Sequence, residues 1–143
     1  MTDEQLMEKA IEQAHKSNEP LKCGAVIAKN GDILAKAFNS QRDSNDATAH
    51  AEIKAIRGAA QLLGNKNLTD CVIYCTSEPR VMCLGAIAFA DIRKIVIGST
   101  LSEITSDDNH IDIDVDYFVS KLPRKIEVIK GFLKGECDKI NKV

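Results

Sequence analysis

The sequence predicts an α/β protein whose sheet contains both antiparallel and parallel strands. Two apolar β-type runs, 23–28 and 33–38, are separated around Asn30-Gly31, which is a strong signal for an antiparallel hairpin. Between residues 71 and 98 a strand, a helix and a second strand follow one another, and such a βαβ unit implies parallel strands joined by a right-handed crossover. With 143 residues, we expect one domain, 1–143, around one core.

Two helices are expected in the first half of the chain. Thr2-Asp3-Glu4-Gln5 has the pattern of a capping box and precedes apolar residues at helical spacing, so helix 1 should run to about Lys16. A polar loop, 39–46, follows the hairpin. Thr48 is placed to cap a second helix that Gly64 ends. The residues expected on the core face of that helix are Ile53, Ile56, Ala60 and Leu63.

The second half supplies the rest of the sheet and its covering helices. The predicted elements are a strand over 71–76, a helix over 81–90, strands over 94–98 and 126–129, and a terminal helix over 132–140. Glu78-Pro79 ends the first of these strands. Residues 100–117 are acidic and irregular, and we expect them to form a solvated loop beside a pocket mouth.

Composition excludes several functional classes. Nineteen basic and 21 acidic side chains give a formal charge of −2, and the pI is near 5.9, so no general positive field attracts a phosphate backbone. Nucleic acid is therefore not the expected partner. The acidic N-terminus lacks signal-peptide features and no apolar run approaches about 18 residues, which predicts a cytoplasmic protein without a membrane span. Five scattered cysteines should remain thiols there.

Two short polar motifs are the candidate functional elements. The first is Thr48-Ala49-His50-Ala51-Glu52, and the second, beyond one predicted strand, is Glu78-Pro79-Arg80-Val81-Met82-Cys83. Each motif lies where the chain enters a predicted helix, so their side chains should meet at one end of the sheet. That end is the candidate active site.

These residue types point to zinc chemistry. A catalytic zinc needs three protein ligands and an open position for water, and His50 and Cys83 are suitable ligands. Glu52 could take a proton from that water and return it to a leaving amine. H-x-E followed by P-C-x-x-C is the signature of zinc deaminases, and the sequence matches it except that Arg80 stands where the first cysteine belongs. A lone H-x-E is a weak signal, whereas the two motifs together are specific.

Nearly the whole chain resembles the cytidine and deoxycytidylate deaminase superfamily. Within this superfamily it resembles the branch of guanine, cytosine and tRNA-adenosine deaminases. The resembling stretches are 23–27 with the Asn30-Gly31 turn, 44–52 and 78–87. The resemblance implies a three-layer α/β/α cytidine-deaminase-like fold with a five-stranded mixed sheet and helices on both faces. The resemblance implies a homodimer or a larger oligomer, and we expect a homodimer. The small residues of the predicted 81–90 helix would suit close packing between chains, and packing inside the monomer explains them equally well.

The resemblance also assigns roles to single residues. His50 and Cys83 match zinc ligands, and Glu52 matches the proton shuttle. The matched substrate-binding positions are Asn39, which binds the base, Ala51, through its backbone N–H, and Cys23, in the pocket wall. Taken alone, Asn39 would be interpreted as a turn residue.

Arg80 is the departure from the family pattern. It leaves two protein ligands and puts a permanent cation in place of a thiolate. At about 4 Å from a divalent ion and an effective dielectric of ~20, the repulsion would be roughly 8 kcal/mol. Zn²⁺ is therefore expected to be weakly bound or absent. The guanidinium could also swing out, or pair with Glu52, and Cys75 is a conceivable substitute thiolate.

The sequence therefore predicts a zinc-dependent hydrolytic deaminase of a nucleobase or nucleoside whose metal site is impaired by Arg80. A small guanine-like substrate is favoured, because Ser44-Asn45-Asp46 resembles guanine deaminases and the chain lacks a basic stripe. One alternative is a catalytically inactive pseudoenzyme that acts as a binding or scaffold subunit. Another alternative is a tRNA adenosine deaminase.

Overall fold

Five strands form one mixed sheet in the computed structural model, which describes residues 1–100 and 110–141. The strands are β1 Gly24–Lys29, β2 Asp32–Phe38, β3 Cys71–Ser77, β4 Lys94–Ser99 and β5 Glu127–Ile129. Their order across the sheet is β2-β1-β3-β4-β5. β1 pairs antiparallel with β2 and with β3, whereas β3 with β4 and β4 with β5 are parallel. The predicted hairpin and the predicted βαβ unit are both confirmed.

The turn between β1 and β2 follows from its two residues. Asn30 and Gly31 both have positive φ, 52° and 80°. Two-residue turns that match the twist of an antiparallel strand pair require positive φ at both central residues, and Asn and Gly adopt positive φ with little strain. The hairpin register then pairs Ala25 with Ala37 and Val26 with Lys36.

Helices cover both faces of the sheet. They are α1 Asp3–Ala14, α2 Gln41–Ser44, α3 Ala51–Leu63, α4 Val81–Phe89, α5 Val115–Ser120 and α6 Lys134–Lys139. Alternate residues of β1 point to opposite faces: Val26 belongs to the apolar cluster that includes residues of α1 and α6, and Ile27 to the cluster that includes residues of α3, α4 and α5. The three-layer α/β/α fold is thereby confirmed. No helix of the described ranges is long and apolar enough to cross a membrane.

The first helix lies unusually close to the sheet. The capping box at Thr2 and Gln5 is present, and a hydrogen bond of 2.6 Å from the Tyr74 hydroxyl to the Asp3 carboxylate ties the helix start to β3. At Gly24 an added Cβ would lie 1.9 Å from the Ala10 carbonyl oxygen. Only glycine therefore allows this approach.

The prediction for the core face of α3 was correct for Ile56, which is partly buried against the core, but it missed the residues that are fully buried. Its buried residues are Ala51, Glu52, Ala55 and Ala59, whereas Leu63 is 38% exposed. A row of alanines lets the helix backbone sit close to β1 and β2, and this rotates the larger aliphatic side chains to its flanks. The predicted cap was wrong, because both the N–H and the hydroxyl of Thr48 donate to the Asp46 carboxylate, and His50 takes the N-cap position.

The irregular segments hold two helices that the sequence did not predict. The short α2 lies within the predicted loop 39–46. Helix α5 begins after Asp114, whose carboxylate accepts a hydrogen bond from the Tyr117 N–H. The remainder of the acidic segment, 101–109, lies outside the described residues. The terminal helix starts at Lys134 rather than at 132, because Leu133 before it adopts a left-handed φ of 50°.

Candidate active site

The two motifs meet at a cavity of about 440 Å³ at the carboxyl end of β3. The predicted convergence is thus observed. The cavity is lined by residues from the segment before β1, the segment after β2, and the starts of α3 and α4. These residues are Glu19, Pro20, Leu21, Cys23, Asn39, Gln41, His50, Ala51, Glu52, Ser77, Glu78 and Arg80.

His50 lies at the start of α3 and faces the second motif. Its backbone is extended, with φ −75° and ψ 153°, and its side chain does not cap the helix. Instead its Nδ1 lies 3.5 Å from the Cys83 Sγ. Burial, and secondarily the Arg80 charge, lower the pKa of His50, so the imidazole is neutral at neutral pH. A neutral imidazole has the lone pair that a metal ligand needs.

Glu52 lies in the first turn of α3 and is only 7% exposed. Burial raises its pKa to about 7, although its own backbone N–H, the Cys83 thiol and the Arg80 charge act in the opposite direction. A carboxyl group with that pKa can both hold and release a proton near neutral pH. This is the property that a proton shuttle requires.

Cys83 lies on the first turn of α4 and is completely buried. Burial, followed by the charge of Glu52, raises the pKa of the Cys83 thiol far above its usual range. The group is therefore a thiol that donates to the Glu52 carboxylate. All five cysteines of the chain lie among the described residues and are free thiols, as predicted.

Arg80 is the N-cap residue of α4 and lines the cavity. It lies three residues before Cys83, and its charge acts on both His50 and Glu52. Within 1–100 and 110–141, no group of three His, Cys, Asp or Glu side chains is placed to hold a metal ion. The donor set therefore does not fit a three-ligand zinc centre. Cys75 does not supply a third ligand.

The predicted substrate-binding residues also line this cavity. Asn39 is 4% exposed; its Oδ1 accepts from the Cys23 N–H at 2.9 Å, and its Nδ2 donates to the Leu21 carbonyl at 2.7 Å. One amide hydrogen and one lone pair of Asn39 remain for other partners. Cys23 has its Sγ 3.7 Å from the Ser77 hydroxyl, and burial raises its pKa to about 12. Ala51 is buried at the start of α3.

The sequence assigned no role of their own to four polar residues of the cavity, which are Glu19, Gln41, Ser77 and Glu78. Glu19 is buried and accepts a hydrogen bond from the Arg42 N–H at 3.1 Å. The Glu78 carboxylate accepts one from the Val115 N–H at 3.1 Å and so attaches α5 to the cavity wall. The Oε1 of Gln41 is buried without a hydrogen-bond partner in the described structure. Of these residues, only Glu78 belongs to a motif that the sequence shows, because it is the first residue of the second motif.

The fold and the cavity define a class of protein. Two helices begin at one cavity beyond a central strand. His50 and Glu52 lie at the start of one and Cys83 on the first turn of the other, and these are residues of the zinc-deaminase signature. The model of the cytidine and deoxycytidylate deaminase zinc-binding region matches residues 1–99. The chain belongs to this deaminase family.

Relatives within the family carry two different names. A tRNA-specific adenosine deaminase of Buchnera aphidicola is 37% identical over 117 residues, which make up 82% of this chain and 70% of the relative. A guanine deaminase of Bacillus subtilis is 43% identical over 96 residues, 65% of this chain and 62% of that one. A solved structure from studies of A-to-I editing by tRNA:A34 deaminases has a TM-score of 0.80 at 33% identity and covers 95% of this chain and 98% of that chain.

Proposed function

We propose that the chain is a member of the hydrolytic deaminase family whose cavity binds a nucleobase or nucleoside and whose metal site is impaired by Arg80. The observation that carries this proposal is the pairing of His50 and Cys83 beside Glu52, with Arg80 at the chain position where a third ligand would stand. Ammonia release by the chain as it stands should then be weak, and an inactive pseudoenzyme that only binds the base is the alternative.

The geometry of the two remaining ligands supports this proposal. Nitrogen and sulfur ligands of a tetrahedral zinc ion, at about 2.1 and 2.3 Å from it, lie about 3.6 Å apart. The observed separation of His50 Nδ1 and Cys83 Sγ is 3.5 Å. Position 80 is three residues before Cys83 at the start of the same helix, so a thiolate there would complete the set. When three protein ligands hold it, zinc supplies an activated water.

The residues of this chain would still bind and orient a base. Asn39 keeps one amide hydrogen and one lone pair for a ring edge, and Ala51 contributes a backbone N–H at the start of α3. Cys23, Pro20 and Leu21 supply apolar wall. Glu52 holds or releases a proton near neutral pH. These groups explain substrate binding without any step at a metal.

We favour a guanine-like free base or nucleoside over tRNA. A cavity of about 440 Å³ is in the range of small-molecule sites, about 300–1,000 Å³. Its lining carries three acidic residues, Glu19, Glu52 and Glu78, against one arginine, which disfavours a phosphate backbone. The similarity to tRNA-specific adenosine deaminases supports tRNA as the second candidate.

We also propose a homodimer formed through α4. This helix is apolar on every side, with Cys83, Leu84 and Ile87 buried and Phe89 91% exposed. An aromatic side chain so exposed at the end of an apolar helix favours contact with another protein surface.

The proposed function is tested by restoring the missing thiol. Zinc per chain and ammonia release from guanine, cytosine and adenosine are measured on wild type, Arg80→Cys and Arg93→Cys. Arg93 is an exposed arginine outside the cavity and is the matched control. We expect Arg80→Cys to hold about one zinc per chain and to release ammonia much faster than wild type and Arg93→Cys. Equal ammonia release by wild type and Arg80→Cys, or an Arg80→Cys protein that binds no zinc, would contradict the proposal.

A further inference from the structure

We infer that Lys54 is a positioning residue for base binding, because it holds Asn39 in the orientation in which its amide faces the cavity. Lys54 is not among the residues that line the cavity, so it acts through Asn39 and not on a ligand directly. The inference rests on the proposed function, because it takes Asn39 as the residue that binds the base. It deepens that function by naming a residue outside the cavity on which binding depends.

The Lys54 side chain bonds to both chain neighbours of Asn39. Its Nζ donates to the Phe38 carbonyl at 2.7 Å and to the Ser40 hydroxyl at 2.9 Å. The same ammonium group lies over the Phe38 ring, 4.6 Å from the ring centroid. Hydrogen bonds from a charged donor are stronger than neutral ones. The half-buried lysine therefore restrains the backbone on both sides of Asn39.

This lysine also belongs to the helix that carries the other part of the site. Lys54 lies on α3, and its backbone N–H donates to the His50 carbonyl at 3.1 Å, which closes the first helical turn. Glu52 lies in that turn. The side chain and the backbone of one residue thus connect the end of β2 to the turn that holds His50 and Glu52.

The orientation of the Asn39 amide depends on the position of its backbone. The amide already bridges the Cys23 N–H and the Leu21 carbonyl, and the Asn39 carbonyl accepts from the Ser17 hydroxyl at 2.9 Å. The amide hydrogen and the lone pair that remain for a ligand lie in the plane of this bridged amide. A displacement of the backbone would turn that plane or break the bridge, and a misplacement of about 1 Å is enough to weaken a binding group strongly.

Base binding in a double-mutant cycle separates positioning from a general effect on stability. Lys54→Met keeps an unbranched side chain and removes the three donors. Lys36→Met, at an exposed lysine of β2 that does not line the cavity, is the matched control. Dissociation constants for guanine, cytosine and adenosine are measured by equilibrium dialysis on wild type and both variants. The same measurement is made on Asn39→Ala and on Asn39→Ala with Lys54→Met, and urea unfolding establishes that each protein is folded.

We expect Lys54→Met to weaken binding of the tightest of these ligands by about tenfold, which is the size of one hydrogen bond to a buried group, and Lys36→Met to leave it unchanged. Because Lys54 acts through Asn39, the same substitution should change the dissociation constant less than about twofold when Asn39 is replaced by alanine. Unchanged binding in Lys54→Met, or an equal loss in both backgrounds, overturns the inference.

Amide hydrogen exchange provides a measurement that needs no ligand. The Cys23 N–H donates to the Asn39 Oδ1 and should exchange at least about tenfold faster in Lys54→Met than in wild type, whereas the amides of β4, which lies beyond β3, should keep their rates. No change at Cys23, or an equal change at Cys23 and in β4, overturns the inference.

Exchange decides the inference when wild type binds none of the three ligands, a result that counts against the proposed function, and when Asn39→Ala does not fold or does not bind. If Lys54→Met does not fold, Ser40→Ala, which removes one acceptor of Lys54, replaces it under the same criteria. Zinc binding and ammonia release by Arg80→Cys are measured separately, so the proposed function can stand when this inference fails.

Discussion

The free energy of unfolding of Glu52→Gln, compared with that of wild type at the same pH, should increase as the pH rises. The buried carboxyl group has a pKa of about 7 in the folded chain, against an ordinary value of 4.5. Between these two pH values the folded protein holds a proton that the unfolded chain has lost. Wild-type stability therefore falls as pH rises from about 4.5 to 7, and the penalty is constant above that window.

The size of the effect follows from the same two values. At about 1.4 kcal/mol per pKa unit, the full penalty on wild type is about 3 kcal/mol. About 2 to 3 kcal/mol of it develops between pH 5 and pH 8, and glutamine removes it because it does not ionise. Because the pKa of His50 is lowered in the folded chain, His50 makes the protein less stable as the pH falls below its ordinary value of 6.5. His50 is present in both wild type and Glu52→Gln. It therefore largely cancels in the difference.

Urea unfolding of metal-free wild type and Glu52→Gln at pH 5, 6, 7 and 8 measures this difference. We expect the variant to gain about 2 to 3 kcal/mol on wild type between pH 5 and pH 8. Glu8→Gln, at an exposed position of α1, is the control and should show no such trend. A difference that stays constant across this range would refute the assignment of Glu52 as a buried, proton-holding carboxyl group.

Two further predictions concern packing and assembly. Gly24→Ala should destabilise the protein by about 3 kcal/mol in urea unfolding, because its Cβ would lie 1.9 Å from the Ala10 carbonyl oxygen. Gly135→Ala in α6, where nothing lies within 4 Å, is the control and should be neutral or stabilising by up to about 1 kcal/mol. Equal effects of the two substitutions would contradict the close approach of α1 to β1. Phe89→Ser should weaken homodimer formation by at least about tenfold in sedimentation velocity, since it removes a 91% exposed aromatic side chain. A wild-type monomer, or a variant dimer of unchanged affinity, would be inconsistent with an α4 interface.

The sequence was sufficient for features that depend on local chemistry. Asn30-Gly31 set the hairpin because both residues tolerate positive φ. The βαβ unit fixed the parallel part of the sheet, and the position of the two motifs before helices brought His50, Glu52 and Cys83 together. Each of these features needs only neighbouring residues or a general rule of chain connection.

Features that depend on tertiary contact were not predictable in the same way. Thr48 is a good N-cap residue, but the Asp46 carboxylate binds it in a local turn and the helix begins later. The core face of α3 depends on how closely the helix lies against the sheet, which periodicity does not give. Glu19 and Gln41 enter the cavity from two separate segments that carry no motif, so their shared position appears only in the folded chain.

The claim that Arg80 impairs the metal site is tested most simply by zinc content. Arg80→Cys and wild type are loaded with zinc and dialysed, and the zinc per chain is measured in both. His50 Nδ1 and Cys83 Sγ already lie 3.5 Å apart, so one additional thiolate should be sufficient. We predict about one tightly held zinc in Arg80→Cys and close to none in wild type. A full complement of zinc in wild type would contradict the account, because the site would then tolerate the guanidinium and draw its third ligand from elsewhere.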